Sequence, residues 1–266
     1  MRAHRTLTVS LILALTLAIP ASAAAKRLII GGSTSVLPLA QKLSAAYHHA
    51  THAPEPKVSG GQSDIGVAGA ASGRFDIGDS SRDPLSTDPH GLVFTKIARD
   101  GICVVTNNQN PVANFSQETI QKIFSGAVRD WSEVPGAHVS GPIELFDRDG
   151  ASGTQDAFQN IFMGQNLRVS PSASQRPSNG RVQQAIASNK NAIGYVDFNF
   201  TKGLHTVPYR GVACTLRNAK SGQYGGVRNF WLVSRGKASG AAAAFIKWTK
   251  SRAARKLIAT NWVPLK

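Results

Sequence analysis

Short apolar runs alternate with stretches whose apolar residues recur every third or fourth position, and the alternation persists along most of the 266-residue chain. Arg27-Leu28-Ile29-Ile30 reads as a strand. Val36, Leu39, Ala40, Leu43, Ala46 and Tyr47 then fall at the i, i+3, i+4, i+7 spacing of an amphipathic helix. Val58-Ser59-Gly60-Gly61-Gln62-Ser63 leads into a segment carried by Ile65, Val67, Ala68 and Ala71. Ile143-Glu144-Leu145-Phe146 predicts a strand, and Phe158, Ile161 and Phe162 a helix beyond it. Ser116 stands as an N-cap before Ile120, Ile123 and Phe124, with Gly126 as the stop. Residues 180–189 predict a short helix, 192–196 and 229–233 strands, and 240–259 one long helix. Leu92 to Ala98 and Gly101 to Thr106 are apolar runs joined by Arg99-Asp100, placed to carry the chain from one half to the other. Strands alternating with helices give the α/β class.

The joints between these elements carry the chemistry. Arg148-Asp149-Gly150-Ala151-Ser152-Gly153-Thr154 lies between a strand and a helix, where backbone N–H groups lack helical partners and the helix dipole adds partial positive charge. Ser152 and Thr154 supply hydroxyls, Gly153 allows close approach and Arg148 supplies a forked cation, a set suited to an oxyanion. Taken alone, the stretch also reads as an ordinary capped helix after an arginine. Gly31-Gly32-Ser33-Thr34-Ser35 and Ser59 to Ser63 repeat the arrangement, and Asp79-Ser80-Ser81-Arg82 makes a further donor loop. Several such starts converging on one anion is the stronger reading.

Residues 1–23 form a secretory leader: Arg2 and Arg5, an apolar run from Leu7 to Ile19, then Ala21-Ser22-Ala23. Cleavage leaves 243 residues without a second run of membrane length and without a cysteine at the new N-terminus, so no membrane anchor is expected. The destination is the periplasm, or release. The formal charge of +15 falls to +13 once the leader is lost. That charge favours anionic partners, and export turns the reading from nucleic acid to small anions or an anionic envelope surface. The basic residues are dispersed except near Lys247 to Lys256. Cys103 and Cys214 lie in apolar runs; a disulfide and two buried thiols both remain open. His48, His49 and His52 near a helix end lack a fourth ligand, and no metal or cofactor is expected. Asp147, Asp149 and Asp156 around the anion loop raise a phosphatase, but no His/Asp metal pattern accompanies them, and Asp149 is expected to orient Arg148.

Taken together, Gly-Ser-Thr at 32–34, Ser-Gly-Gly-x-Ser at 59–63, Asp-Ile-Gly-x-Ser-Ser-Arg at 76–82, Ala-Arg-Asp-Gly at 98–101, Thr119 to Gly126 with Trp131, Arg148 to Thr154, and Trp262-Val263-Pro264-Leu265 resemble the periplasmic phosphate-binding proteins, PstS-like receptors of ATP-driven phosphate importers. The likeness spans nearly the whole mature chain. It implies a two-lobed periplasmic binding protein-like fold of type II, with the ligand in a cleft between lobes at 24–98 plus 206–266 and at 99–205. The chain would cross between them near 97–101 and 203–210. It implies phosphate held by Thr34, Ser35, Ser63, Ser81 and Arg82 from one lobe and by Arg148, Ser152, Gly153 and Thr154 from the other. The implied role is delivery to an importer's membrane permease, by a monomer, without catalysis or cofactor. Many such relatives carry an aspartate where Ser81 falls, which accepts the proton of monohydrogen phosphate; Asp64 is the substitute acceptor expected here. The alternatives are a receptor for another tetrahedral oxyanion (sulfate or molybdate), or a basic exported adhesion or sensing protein on the same scaffold.

Overall fold

The computed structural model describes residues 26–266, so the leader expected at 1–23 lies outside the described residues. In chain order the main elements are β1 (Ile29–Ser33), α1 (Leu37–Thr51), β2 (Lys57–Gly61), α2 (Ser63–Ser72), β3 (Ile77–Ser80), β4 (Leu92–Thr106), α3 (Gln117–Phe124), β5 (Glu144–Arg148), α4 (Gly153–Phe158), β6 (Ser174–Arg176), α5 (Asn179–Ala187), β7 (Ala192–Asp197), β8 (His205–Thr206), α6 (Leu216–Ser221), β9 (Val227–Arg235), α7 (Gly240–Trp248) and α8 (Arg252–Asn261).

The strands follow one path, β2-β1-β3-β9-β4-β7-β5-β6, with β8 beside β4. Strand β4 is the spine. It pairs antiparallel with β9 from Leu92 to Gly101 and with β7 from Ile102 to Thr106, with a bulge between Lys96 and Ala98. The two apolar runs read on either side of Arg99-Asp100 are therefore one strand that serves both halves. On one side of it, β1 runs parallel to β2 and β3; on the other, β5 runs parallel to β6 and β7.

Each half has its own core. Ile30, Leu39, Leu43, Ile77, Phe230, Phe245, Ile258 and Trp262 pack together in the first. Val104, Phe115, Phe124, Trp131, Phe158, Tyr195, Tyr209 and Tyr224 pack in the second. The amphipathic face read along α1 is the buried one, and the helix ends at His52, which turns left-handed (φ 57°) two residues before Pro54. Ser116 caps α3 as its position predicts, accepting from the Thr119 amide.

Two expectations are corrected. The return crossing is not at 203–210: Val207, Tyr209, Cys214 and Tyr224 all belong to the second core, Val227 at the start of β9 still packs against it, and Phe230 is the first residue of β9 in the core of the first half. The crossing lies along the start of β9, between Tyr224 and Phe230, and the approach is tight: a side chain on Gly226 would meet the Tyr224 ring at 2.6 Å and the Ile102 carbonyl at 2.9 Å. Residues 206–224 thus belong with the second lobe. The long helix expected over 240–259 is two helices, because Ser251 accepts from the Ala254 amide and starts a new one. The cysteines, left open by sequence, are joined: Cys103 and Cys214 form a disulfide with Cα atoms 5.6 Å apart, stapling the 207–224 excursion to β4.

Candidate functional site

The donor loops meet between the lobes, and most of their side chains are sealed from solvent. Ser35, just before α1, is fully buried and its hydroxyl lies 3.0 Å from that of Thr154, at the start of α4 in the other lobe. Ser63 begins α2, and its Oγ accepts from the Ser81 amide at 3.0 Å and lies 3.3 Å from the Ser81 hydroxyl. Ser152 caps α4 by accepting from the Thr154 and Gln155 amides. Gly153 is where the lobes touch: a Cβ there would stand 2.3 Å from Ser63 Oγ and 2.7 Å from the Arg82 amide nitrogen.

Arg148, at the end of β5, is held by two carbonyls. Its Nε donates to Arg176 O and one terminal nitrogen to Pro177 O, both at 3.0 Å, which aims the other nitrogen at Thr154 Oγ1, 3.4 Å away. Burial pulls its pKa down, yet a guanidinium keeps its proton at any working pH. Asp149 does not orient it; that carboxylate accepts from Gln62 across the cleft. Asp147 is engaged by Tyr195 and Asp156 by Asn160, so the three aspartates around the loop diverge rather than converge. His48 Nδ1 is spent on the Ala53 carbonyl.

Three residues named from sequence face elsewhere. The Arg82 guanidinium binds Asp64 at 2.7 Å and Asp88 at 2.6 Å, and only its backbone amide borders Gly153. Side chains alternate across a strand or its extension, so Ser81 pointing into the cluster turns its neighbour Arg82 out. Asp64, half exposed, is that arginine's partner and makes no hydrogen bond to the hydroxyl cluster among the described residues. Thr34 lies half-buried with its methyl group toward Gly60, while Ser33 donates to Ser81 Oγ at 2.8 Å.

Four buried residues complete the cluster without having been read from sequence. Arg228, on β9, donates to Thr154 Oγ1 at 2.9 Å and to Ser81 Oγ at 3.3 Å, while its other terminal nitrogen lies 3.4 Å from both Asp100 and Asp197. Asn179 donates to Ser35 Oγ at 2.8 Å and to Asp197 Oδ2 at 3.2 Å. Burial raises both carboxyls: Asp100 well above its ordinary range, with Asp197 pushing it further, and Asp197 to about 6 despite the pull of Arg228. The available signal was weak. A single arginine in the apolar strand 227–233 and an asparagine opening a helix at Ser178-Asn179 are both common surface features.

The site is therefore two arginines and at least five hydroxyls drawn from both lobes, with a buried carboxyl pair on one arginine. Residues 19–253 match the sequence model of the PBP superfamily domain. The chain belongs to the PBP superfamily. As a PBP-superfamily member it is 26% identical over 239 residues to the phosphate-binding protein PstS of Bacillus subtilis, covering 88% of this chain and 78% of that one. It is 24% identical over 220 residues to PstS of Borreliella burgdorferi, covering 78% of each. Among solved structures, it is similar to a phosphate ABC transporter substrate-binding protein of Clostridium perfringens described with bound phosphate, at TM-score 0.85 and 27% identity, over 91% of this chain and 100% of that one. An ABC-type phosphate transport receptor of Vibrio cholerae matches at TM-score 0.73 and 26% identity, over 90% and 100%.

Proposed function

We propose that the mature chain is an exported receptor that holds inorganic phosphate between its lobes and delivers it to the membrane permease of an ABC importer. The observation that carries this is the convergence of Arg148 and Arg228, from opposite lobes, on the buried Thr154 hydroxyl, which meets the Ser35 hydroxyl, while Arg228 also reaches Ser81. A dianion leaving water loses solvation worth several kcal/mol per charge, and only a dense set of charge-assisted donors replaces it. Because those donors come from both lobes, the set is complete only when the lobes close, so ligand selects the closed form. The names of the relatives support binding and transport rather than catalysis. Among the described residues no helix is long and apolar enough to cross a membrane. The ligand set we propose is Ser35, Ser63, Ser81, Arg148, Ser152, Gly153, Thr154, Asn179 and Arg228.

The acceptor for the phosphate proton is Asp197 rather than Asp64. Its Oδ2 rests on the same Asn179 amide that donates to Ser35, which sets a carboxylate oxygen against the hydroxyl cluster. Monohydrogen phosphate brings one P–OH to donate there; sulfate brings only acceptors and is repelled. With Asp197 raised to about 6, the acceptor is charged above that pH and lost below it. The test is titration calorimetry of dialysed protein. Phosphate is expected to bind at one site per chain, and absence of heat would refute the receptor reading. Asp197→Asn is expected to narrow the phosphate-over-sulfate preference at least about tenfold at pH 8, the worth of one charged hydrogen bond. An unchanged preference would reject the acceptor role.

Gly153→Ala is expected to fold normally yet bind phosphate at least about tenfold more weakly. Its methyl would have to occupy space 2.3 Å from Ser63 Oγ only when the lobes are shut. Small-angle scattering with phosphate present reads the outcome: a variant that contracts as fully as the parent would contradict it.

A further inference from the structure

The last 69 residues, 198–266, contain thirteen lysines and arginines and no aspartate or glutamate. Every acidic side chain of the protein precedes them. Much of this excess is gathered on α7 and α8, where Lys247, Lys250, Arg252, Arg255 and Lys256 are all exposed. Lys42 reaches the end of α8 through Asn261, and Lys220 reaches it through the Ala259 carbonyl. Among the described residues none of these seven cations is in an ion pair. Two of them, Lys247 and Lys250, form the rim of an open groove of about 550 Å³ whose floor is Tyr47, Ala244 and Trp248. The groove sits at the far end of α1 from Ser35, roughly 20 Å from the anion cluster at 1.5 Å per helical residue.

We infer that this face attaches the receptor to the anionic surface of a lipid bilayer. A half-buried tryptophan between lysines suits the headgroup layer, where an aromatic edge sits among headgroups and lysine stems lie along it with their ammonium groups in water. Nucleic acid is the poorer fit, since single strands stack on open aromatic faces and the Trp248 ring is already packed edge-on against Tyr47 at 5.6 Å. On the reading of residues 1–23 as a secretory leader, the exported protein meets such a surface. A receptor held there searches for its permease in two dimensions, with its cleft at the other end of α1.

The mature protein is sedimented with vesicles of phosphatidylcholine containing about a third phosphatidylglycerol, and with phosphatidylcholine alone. Each lysine or arginine near an anionic surface strengthens attachment about fivefold. The triple variant Lys247→Glu, Lys250→Glu, Arg255→Glu is therefore expected to bind anionic vesicles at least about a hundredfold more weakly. The control Arg168→Glu, Lys190→Glu, Lys202→Glu carries the same net charge on the other lobe and is expected to lose far less. Unchanged phosphate titration shows that both variants are folded. Equal loss in the two variants, equal binding to neutral and anionic vesicles, or binding to heparin without binding to vesicles would overturn the inference.

Discussion

Arg148→Ala is expected to weaken phosphate binding close to a thousandfold, about 4 kcal/mol, because a buried charge loses its charged partner in a site closed to water. Arg148 reaches the cluster from the second lobe and Arg228 from the first side of β4, so neither substitutes for the other. Stability is expected to change by less than about 2 kcal/mol, the cost of freeing the Arg176 and Pro177 carbonyls that Arg148 now occupies. Calorimetry and a thermal melt separate the two effects. Arg148→Lys restores charge without the fork that bridges two carbonyls and a hydroxyl, and is expected to recover only part of the affinity. A melt that collapses in proportion to the lost affinity would instead make Arg148 a structural residue.

The second large effect lies away from the ligand. The disulfide between Cys103 and Cys214 spans 111 residues and closes a loop around most of the second lobe. Cross-linking a chain at that separation removes denatured-state entropy worth about 4–5 kcal/mol. Cys103→Ala with Cys214→Ala is expected to lose about that much in denaturant unfolding, while the folded fraction binds phosphate as before. Both sulfurs belong to the second core and neither touches the anion cluster. A loss below about 1 kcal/mol would show that the 207–224 segment holds to β4 by packing alone.

What the sequence discloses and what it hides divide along a physical line. The small-residue turns at 31–35, 59–63 and 148–154 are local: strand, turn and helix follow one another, so the donors at the start of each helix were legible. Ser116 and the buried face of α1 were legible for the same reason. Arg228, Asp100 and Asp197 meet only because β4 pairs with β9 on one side and β7 on the other. No local pattern announces such a pairing. Arg82 was misplaced because neighbours in sequence point to opposite sides of an extended chain. The return crossing was set too early because β8 is two residues long, and the core that retains 207–224 is assembled from distant segments.

One buried cluster, shared by two lobes, is proposed here as the phosphate site. The most direct test is a crystal structure with arsenate, a tetrahedral oxyanion of the same charge behaviour whose arsenic can be located by anomalous scattering. One arsenic position is expected, with its oxygens within hydrogen-bond reach of Ser35, Ser81, Arg148, Thr154 and Arg228. Arsenic on the α7–α8 face alone, or none between the lobes, would contradict it.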